Sequence, residues 1–282
     1  MTAFNIAQHR LSVLRRGIPM GLGIALGCLS GGSMAQTQPP ALSDEPTLVR
    51  YQPNQYCPAN TVVDIPRGVA NKTLYRDSVC IREQLRPYQA TSQPAKVRYA
   101  AHKANAWLAY AYHEASEHSP TPAGTDAMHR AVTLLAALQN NHSDPIAFNA
   151  VIPSTSGIAR PDLWADILAV KHSPAFANVD VLPKMVADSE VKLIWSEAEN
   201  CERGWRHANE HFAAADRWVS AAYLTAWHAL DAEQQANLKT TRTAYLAQLA
   251  PLSEPPTERT KTDFWPMPQH RASCHGAVLP TL

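Results

Sequence analysis

Three residues in the second half of the chain have the spacing of a metal site. His207, Glu210 and His211 fall in the order H-x-x-E-H. On a helix the two histidines lie one turn apart on the same face, as a pair of zinc ligands requires. Glu210 could then act as a general base for a metal-bound water. The motif therefore indicates that the chain could bind zinc or haem. Its most specific interpretation is a zinc metallohydrolase.

The surrounding pattern favours a structural role for the same histidines. A catalytic zinc needs a third protein ligand, and no second motif supplies one. Ala208 and Phe212 already lie on the apolar stripe of this segment, which places His207 and His211 at its flank. We therefore expect no cofactor and no catalytic residue, with zinc or haem at His207, Glu210 and His211 as the alternative.

Histidines on an earlier segment could extend such a site. His113, Glu114 and His118 lie near the end of the first long helical pattern and could approach the later pair in a bundle. Facing helices of a bundle can build a four-ligand site in this way. Nothing in the spacing requires it, so exposed or hydrogen-bonded histidines remain the simpler interpretation.

The N-terminus has the order of a secretory signal peptide. Residues 1–16 are polar and basic, residues 17–29 are apolar and uncharged, and small residues precede a predicted cut after Ala35. The apolar run is shorter than the roughly 20 residues of a membrane-spanning helix. We expect cleavage near Ala35 and a periplasmic, outer-membrane-associated or secreted mature chain. The stretch Ala25-Leu26-Gly27-Cys28 leaves lipidation of Cys28 open.

Cleavage at Ala35 would leave an even number of cysteines, namely Cys57, Cys80, Cys201 and Cys274. An even number in an exported chain indicates disulfides. No two of the cysteines have the close spacing of a zinc site. Three connectivities are possible, and pairing of sequence neighbours is preferred.

The charge balance does not indicate nucleic acid binding. The chain has 25 basic and 24 acidic residues, and the leader alone contributes three arginines. The mature chain would therefore be slightly acidic, which is not the basic footprint of a nucleic-acid-binding protein. Outside the leader no segment predicts a transmembrane helix.

Hydrophobic periodicity predicts a mainly α-helical fold, an antiparallel bundle over residues 95–250. Helices are expected over about 95–119, 125–140, 161–171 and 232–250. Between them a seam of apolar residues runs from about 181 to 230, as one helix or as two. Glu199 and Glu202 fall on the expected solvent face of this seam, four residues before Arg203 and Arg206.

The remaining segments are expected to be irregular. Residues 36–49 are a Pro-rich linker, and residues 50–94 form a small disulfide-closed cap in which 61–65 and 77–81 could form a β-hairpin. Residues 251–282 are a Pro-rich tail that Cys274 would tether.

About half of the chain resembles the helical N-terminal region of some proteobacterial outer-membrane-protein-A (OmpA) family proteins and related envelope lipoproteins. The resemblance is carried by residues 104–108, 112–114, 161–165 and 202–208. The C-terminal peptidoglycan-binding domain of those proteins has no counterpart here. The resemblance implies an envelope location and a helical module, and it supplies no catalytic residues.

These observations together predict an exported helical protein of the cell envelope. It would be a non-catalytic binding or structural module with an envelope partner of unknown identity, and it could associate with the outer membrane. Whether the chain is an enzyme stays open, with a non-enzymatic role favoured.

Overall fold

The computed structural model describes residues 48–58, 60–117, 121–142, 151–253 and 274–281, with only the backbone at Trp205. The described residues contain eight α-helices, which confirms the mainly α-helical prediction: α1 Lys72–Leu85, α2 Ala95–Glu117, α3 Ala123–Gln139, α4 Pro161–His172, α5 Pro174–Asn178, α6 Leu182–Arg203, α7 Trp205–Ala229 and α8 Ala232–Leu249. The predicted leader with Ala35 and Cys28, most of the linker and residues 254–273 of the tail lie outside the described residues.

The predicted β-hairpin of the cap is wrong. Residues 61–65 have no regular secondary structure, and residues 77–81 lie inside α1. The side chain of Asn71 caps this helix by accepting from the backbone N–H of Leu74 at 2.9 Å. Leu74, Ile81 and Leu85 recur at helical spacing and are buried, so their packing outweighs the β-propensity of the local sequence.

The helices of the bundle begin at recognisable signals. Pro161, Pro174 and Pro183 lie in the first turns of α4, α5 and α6, where a helix needs no backbone donor. Asp231 begins α8 with a reciprocal capping box, its side chain accepting from the backbone of Gln234 at 2.9 Å.

A single residue separates the two longest helices. Gly204 has φ +82° and ψ 171°, a conformation that is essentially restricted to glycine. It ends α6 and starts α7, which turns back along α6. The long apolar seam is therefore a helical hairpin with its apex at Gly204.

The core lies between α2, α3, α4, α6, α7 and α8. Its helix faces are rich in alanine, which lets backbones approach closely; on α7 the buried stripe consists of Ala208, Phe212, Ala215, Val219, Ala222 and Ala226. The region predicted as a disulfide-closed cap contributes Leu74, Ile81 and Leu85 of α1 to this core.

Two disulfides and a two-stranded pairing fix the ends of the described chain. Cys57 is bonded to Cys80, and Cys201 is bonded to Cys274, which is the nearest-neighbour pairing. Strand β1, Val151–Ile152, pairs antiparallel with β2, Ala277–Val278. In the described part of the chain, no helix is both long and apolar enough to cross a membrane.

Candidate metal centre

The structure buries only one residue of the H-x-x-E-H motif. His211 is buried at 8% exposure, whereas His207 and Glu210 are exposed. The described group that could hold a metal ion comprises His113, Glu199 and His211. Of the motif, only His211 belongs to it.

The three groups come from three helices. His113 lies in the next-to-last turn of α2, Glu199 in the last turns of α6, and His211 in the second turn of α7. One ligand atom from each lies within 4.8 Å of the other two. Nε2 of His113 is 3.8 Å from Oε1 of Glu199, and the two imidazole centroids are 5.6 Å apart.

The hairpin at Gly204 explains this convergence. In one continuous helix, Glu199 and His211 would be separated by about 18 Å along the axis, at 1.5 Å per residue. Folding α7 back on α6 places His211 beside Lys192 and Trp195. Because α2 packs along α6, its His113 reaches the same point.

Trp195 contacts all three candidate ligands. Its ring centroid lies 4.5 Å from that of His113 and 4.7 Å from that of His211. Its indole N–H donates to Oε1 of Glu199 at 3.2 Å. Trp195 therefore orients all three candidate ligands, as the groups behind metal ligands commonly do.

Lys192 lies on the inner side of His211. Its ammonium contacts Nδ1 of His211 and lies 3.6 Å from the centroid of the Trp195 ring. Burial, reinforced by Lys192 and His113, lowers the pKa of His211 to about 3. Burial also lowers the pKa of Lys192, to about 8. His211 is therefore neutral at physiological pH, which is the state that binds metals. Binding of an ion at Nε2 would place the ring proton on Nδ1, so Lys192 would have to be neutral or to turn away from it.

Two further carboxylates flank the outer side. Oε1 of Glu117 lies 3.1 Å from Nε2 of His113, and Oε1 of Glu210 lies 3.7 Å from Nε2 of His211. Arg203 pairs with Glu117. Exposed fractions of 28% for the His113 side chain and 85% for that of Glu210 show that this side faces solvent.

A second ionisable cluster lies deeper in the bundle. The Tyr99 hydroxyl donates to Glu190, whose carboxylate accepts from Lys103 at 2.8 Å and from Lys171 at 2.9 Å. Burial opposes ionisation of Glu190, but the two ammonium groups lower its pKa. Because these polar groups satisfy one another and are inaccessible, the cluster is structural.

The sequence pattern places Glu199 on the wrong face. It predicts Glu199 at the solvent face with Arg203, yet Glu199 is 3% exposed, while Arg203 pairs with Glu117 and Glu202. The prediction that His113 could approach the later histidines is confirmed, since His113 lies beside His211. His118, the other histidine of that prediction, lies outside the described residues.

Comparisons with known proteins identified no relative of this chain. No protein-family model, curated protein or solved structure matches the chain.

Proposed function

We propose that this chain is an exported helical protein that binds a divalent transition metal ion, zinc as the reference case, through His113, Glu199 and His211. The observation that carries the proposal is the convergence of two imidazoles and one carboxylate from three helices within 4.8 Å. Two histidines and a glutamate are an established ligand set for zinc.

The geometry needs only a small adjustment to hold an ion. Ligand atoms on one tetrahedral zinc lie about 3.4 Å apart, given metal–ligand distances of about 2.1 Å. The 3.8 Å between His113 and Glu199 is already near this value. Since no two of the ligand atoms lie more than 4.8 Å apart, side-chain rotations that shift them by about 1.4 Å or less would close the set around an ion.

The metal proposal is tested by calorimetric titration of tag-free protein with Zn²⁺. We expect one equivalent to bind, and His113→Ala, Glu199→Gln and His211→Ala each to weaken binding by at least about 100-fold, since each removes a direct ligand. Circular dichroism verifies that each variant is folded.

His207→Ala is the matched control, because His207 is a histidine of the same helix one turn away. It should leave the Zn²⁺ affinity within about threefold of the parent protein, a free-energy change below about 0.7 kcal/mol. Equal losses from His207→Ala and His211→Ala would instead support the H-x-x-E-H motif. Absence of Zn²⁺ binding by the parent protein would contradict the proposal.

The export component rests on the leader pattern and on the disulfides. Four cysteines of the described chain are joined in two bonds, and disulfides persist in oxidising compartments such as the periplasm. Expression with the native leader in a Gram-negative host should yield periplasmic protein that begins at Gln36. A mass that places lipid on Cys28, or a cytoplasmic protein of full mass, would contradict cleavage after Ala35.

A further inference from the structure

The metal centre has an inner side and an outer side that differ in chemistry. On the inner side, Trp195 and Lys192 cover the imidazole of His211. On the outer side, the His113 and Glu117 side chains are 28% and 34% exposed. A fourth ligand from outside the protein would therefore approach from the outer side.

The outer side is bordered by hydrogen-bond acceptors. Glu117 and Glu210 place carboxylate oxygens 3.1 Å from Nε2 of His113 and 3.7 Å from Nε2 of His211. Neither belongs to the group whose ligand atoms converge within 4.8 Å. Glu117 is also held by Arg203.

These carboxylates determine which ligand fits. The two positive charges of the ion and that of Arg203 are balanced by Glu199, Glu117 and Glu210, so the site has no excess positive charge to attract an anion. An anion at the fourth position would also lie beside two carboxylates, which disfavour it. A neutral nitrogen ligand with an N–H group would instead donate a charge-assisted hydrogen bond to one of the carboxylates. Imidazole combines a metal-binding lone pair with such an N–H.

We propose that the metal ion held by His113, Glu199 and His211 keeps a fourth position on the solvent-facing side, where Glu117 and Glu210 lie beside the two histidines, and that this position binds a neutral imidazole, free or as a histidine side chain. The inference rests on the proposed metal function. It makes the centre a receptor for imidazole rather than a closed structural site, since structural zinc sites have four protein ligands.

Cobalt spectroscopy on tag-free protein tests the inference. Co²⁺ replaces zinc and reports its coordination through visible absorption bands. We expect these bands to shift on titration with imidazole or with the peptide acetyl-Gly-His-Gly-amide, and acetate to bind at least about tenfold more weakly than imidazole. Tighter binding of the peptide would identify a histidine of a polypeptide as the source, and equal binding would identify a small free imidazole.

The variants Glu117→Gln and Glu210→Gln test whether these carboxylates accept a hydrogen bond from the bound imidazole or bind the metal ion themselves. The substitution at the carboxylate that accepts the imidazole N–H should weaken imidazole binding by about tenfold, the usual effect of losing one charge-assisted hydrogen bond. Each substitution should lower Co²⁺ affinity by less than about 100-fold, since neither removes a direct ligand. Both side chains are partly or largely exposed, so folding should be preserved. Glu83→Gln, at an exposed site on α1, is the control.

Results that contradict the imidazole site differ from those that contradict metal binding. Co²⁺ binding without a spectral response to imidazole, or with tighter binding of acetate, would overturn the open imidazole site alone. A loss of Co²⁺ affinity above about 100-fold in Glu117→Gln would show that Glu117 is itself the fourth ligand and would also overturn it. Absence of any Co²⁺ binding would overturn the metal function together with this inference.

Discussion

Among single residues, Glu197 of α6 is a buried carboxyl group with no charged partner among its hydrogen bonds or ion pairs in the described chain. It is 1% exposed, and neither carboxylate oxygen has a partner of good hydrogen-bond geometry in the described part of the chain, although the Asn200 side chain lies close enough to interact. Burial raises its pKa to about 8, against a smaller opposing effect of Asn200. The side chain is therefore protonated and neutral in the folded protein at neutral pH.

This pKa makes stability depend on pH. The unfolded carboxyl has a pKa of about 4.3, so between pH 4.3 and 8 the folded state holds a proton that the unfolded state has released. The free energy of unfolding therefore has its full contribution from this group below about pH 4 and loses it as the pH rises to 8, by about 1.4 kcal/mol per unit.

Glu197→Gln should remove this dependence, because the amide does not titrate. We expect the variant to be more stable than the parent at pH 7.5 by a few kcal/mol, and by less than about 1 kcal/mol at pH 5. Urea unfolding at both pH values measures the difference. Glu83→Gln should change stability equally at both, and a parallel pair of pH profiles for Glu197→Gln and the parent would contradict the assignment.

The buried cluster has two cations for one anion, so its members should differ in what their loss costs in stability. It consists of Tyr99, Lys103, Lys171 and Glu190. Glu190→Gln leaves two buried ammonium groups without a counter-charge, which should cost about 3–5 kcal/mol. Lys171→Met leaves one neutral Lys103–Glu190 pair and should cost less than about 2 kcal/mol. Urea unfolding ranks the variants by stability, and Lys103→Met repeats the test at the other lysine. Equal losses for Glu190→Gln and Lys171→Met would contradict this charge balance.

Single residues of the centre could be predicted only in part. His211 was selected by its motif, and His113 by its position near the end of a predicted helix. Glu199 could not be selected, because its burial depends on where α2 and α7 lie relative to α6. That arrangement depends on the long-range packing of three helices, which local periodicity does not contain.

At the scale of elements, the hairpin of α6 and α7 determines the centre. Glu199 and His211 lie on opposite arms, and Gly204 is the residue between the arms. A Cβ at position 204 meets no atom within 4 Å, so the requirement for glycine is conformational rather than steric crowding. The backbone angle at Gly204 therefore controls the distance between two candidate ligands.

Gly204→Ala should strain this connection, since φ +82° with ψ 171° is essentially restricted to glycine. We expect a loss of about 1–3 kcal/mol in the free energy of unfolding and a weaker Zn²⁺ affinity, because the arms must shift. Thermal unfolding and calorimetry measure the two effects. Ser220→Ala, on the exposed face of α7, should change neither, and an unaltered Gly204→Ala protein would show that the arms do not depend on this angle.

The elements themselves were largely predictable, for a physical reason. α2, α3, α4 and α8 have apolar residues at helical spacing over 12 to 23 residues and begin or end near proline, asparagine or an acidic cap. α1 was missed because its polar cap and its buried Asp77 and Ser78 interrupt the apolar pattern. Tyr51 donates to Asp77 at 2.6 Å, which is a tertiary contact that compensates for this burial.

At the scale of the whole molecule, the two disulfides close loops of unequal length. The pairs are separated by 23 residues for Cys57–Cys80 and by 73 for Cys201–Cys274. In the chain-entropy model these loops stabilise the fold by about 3 and about 4 kcal/mol. The longer one also ties the C-terminal segment to the apex of the α6–α7 hairpin, because Cys201 lies three residues before Gly204 and two residues after Glu199.

Removal of each disulfide should therefore have a different consequence. The double variant Cys201→Ser, Cys274→Ser should lose about 1 kcal/mol more stability than Cys57→Ser, Cys80→Ser, and it alone should weaken Zn²⁺ binding. Strand β2 pairs with β1, and the backbone N–H of Gly276 donates to the carbonyl of Ser156 at 2.9 Å. Only the Cys201→Ser, Cys274→Ser variant removes the covalent bond that holds this segment in place. Urea unfolding and zinc calorimetry of the folded variants give both quantities. A loss of zinc affinity in Cys57→Ser, Cys80→Ser instead would mean that α1, rather than the hairpin apex, governs the position of the ligands.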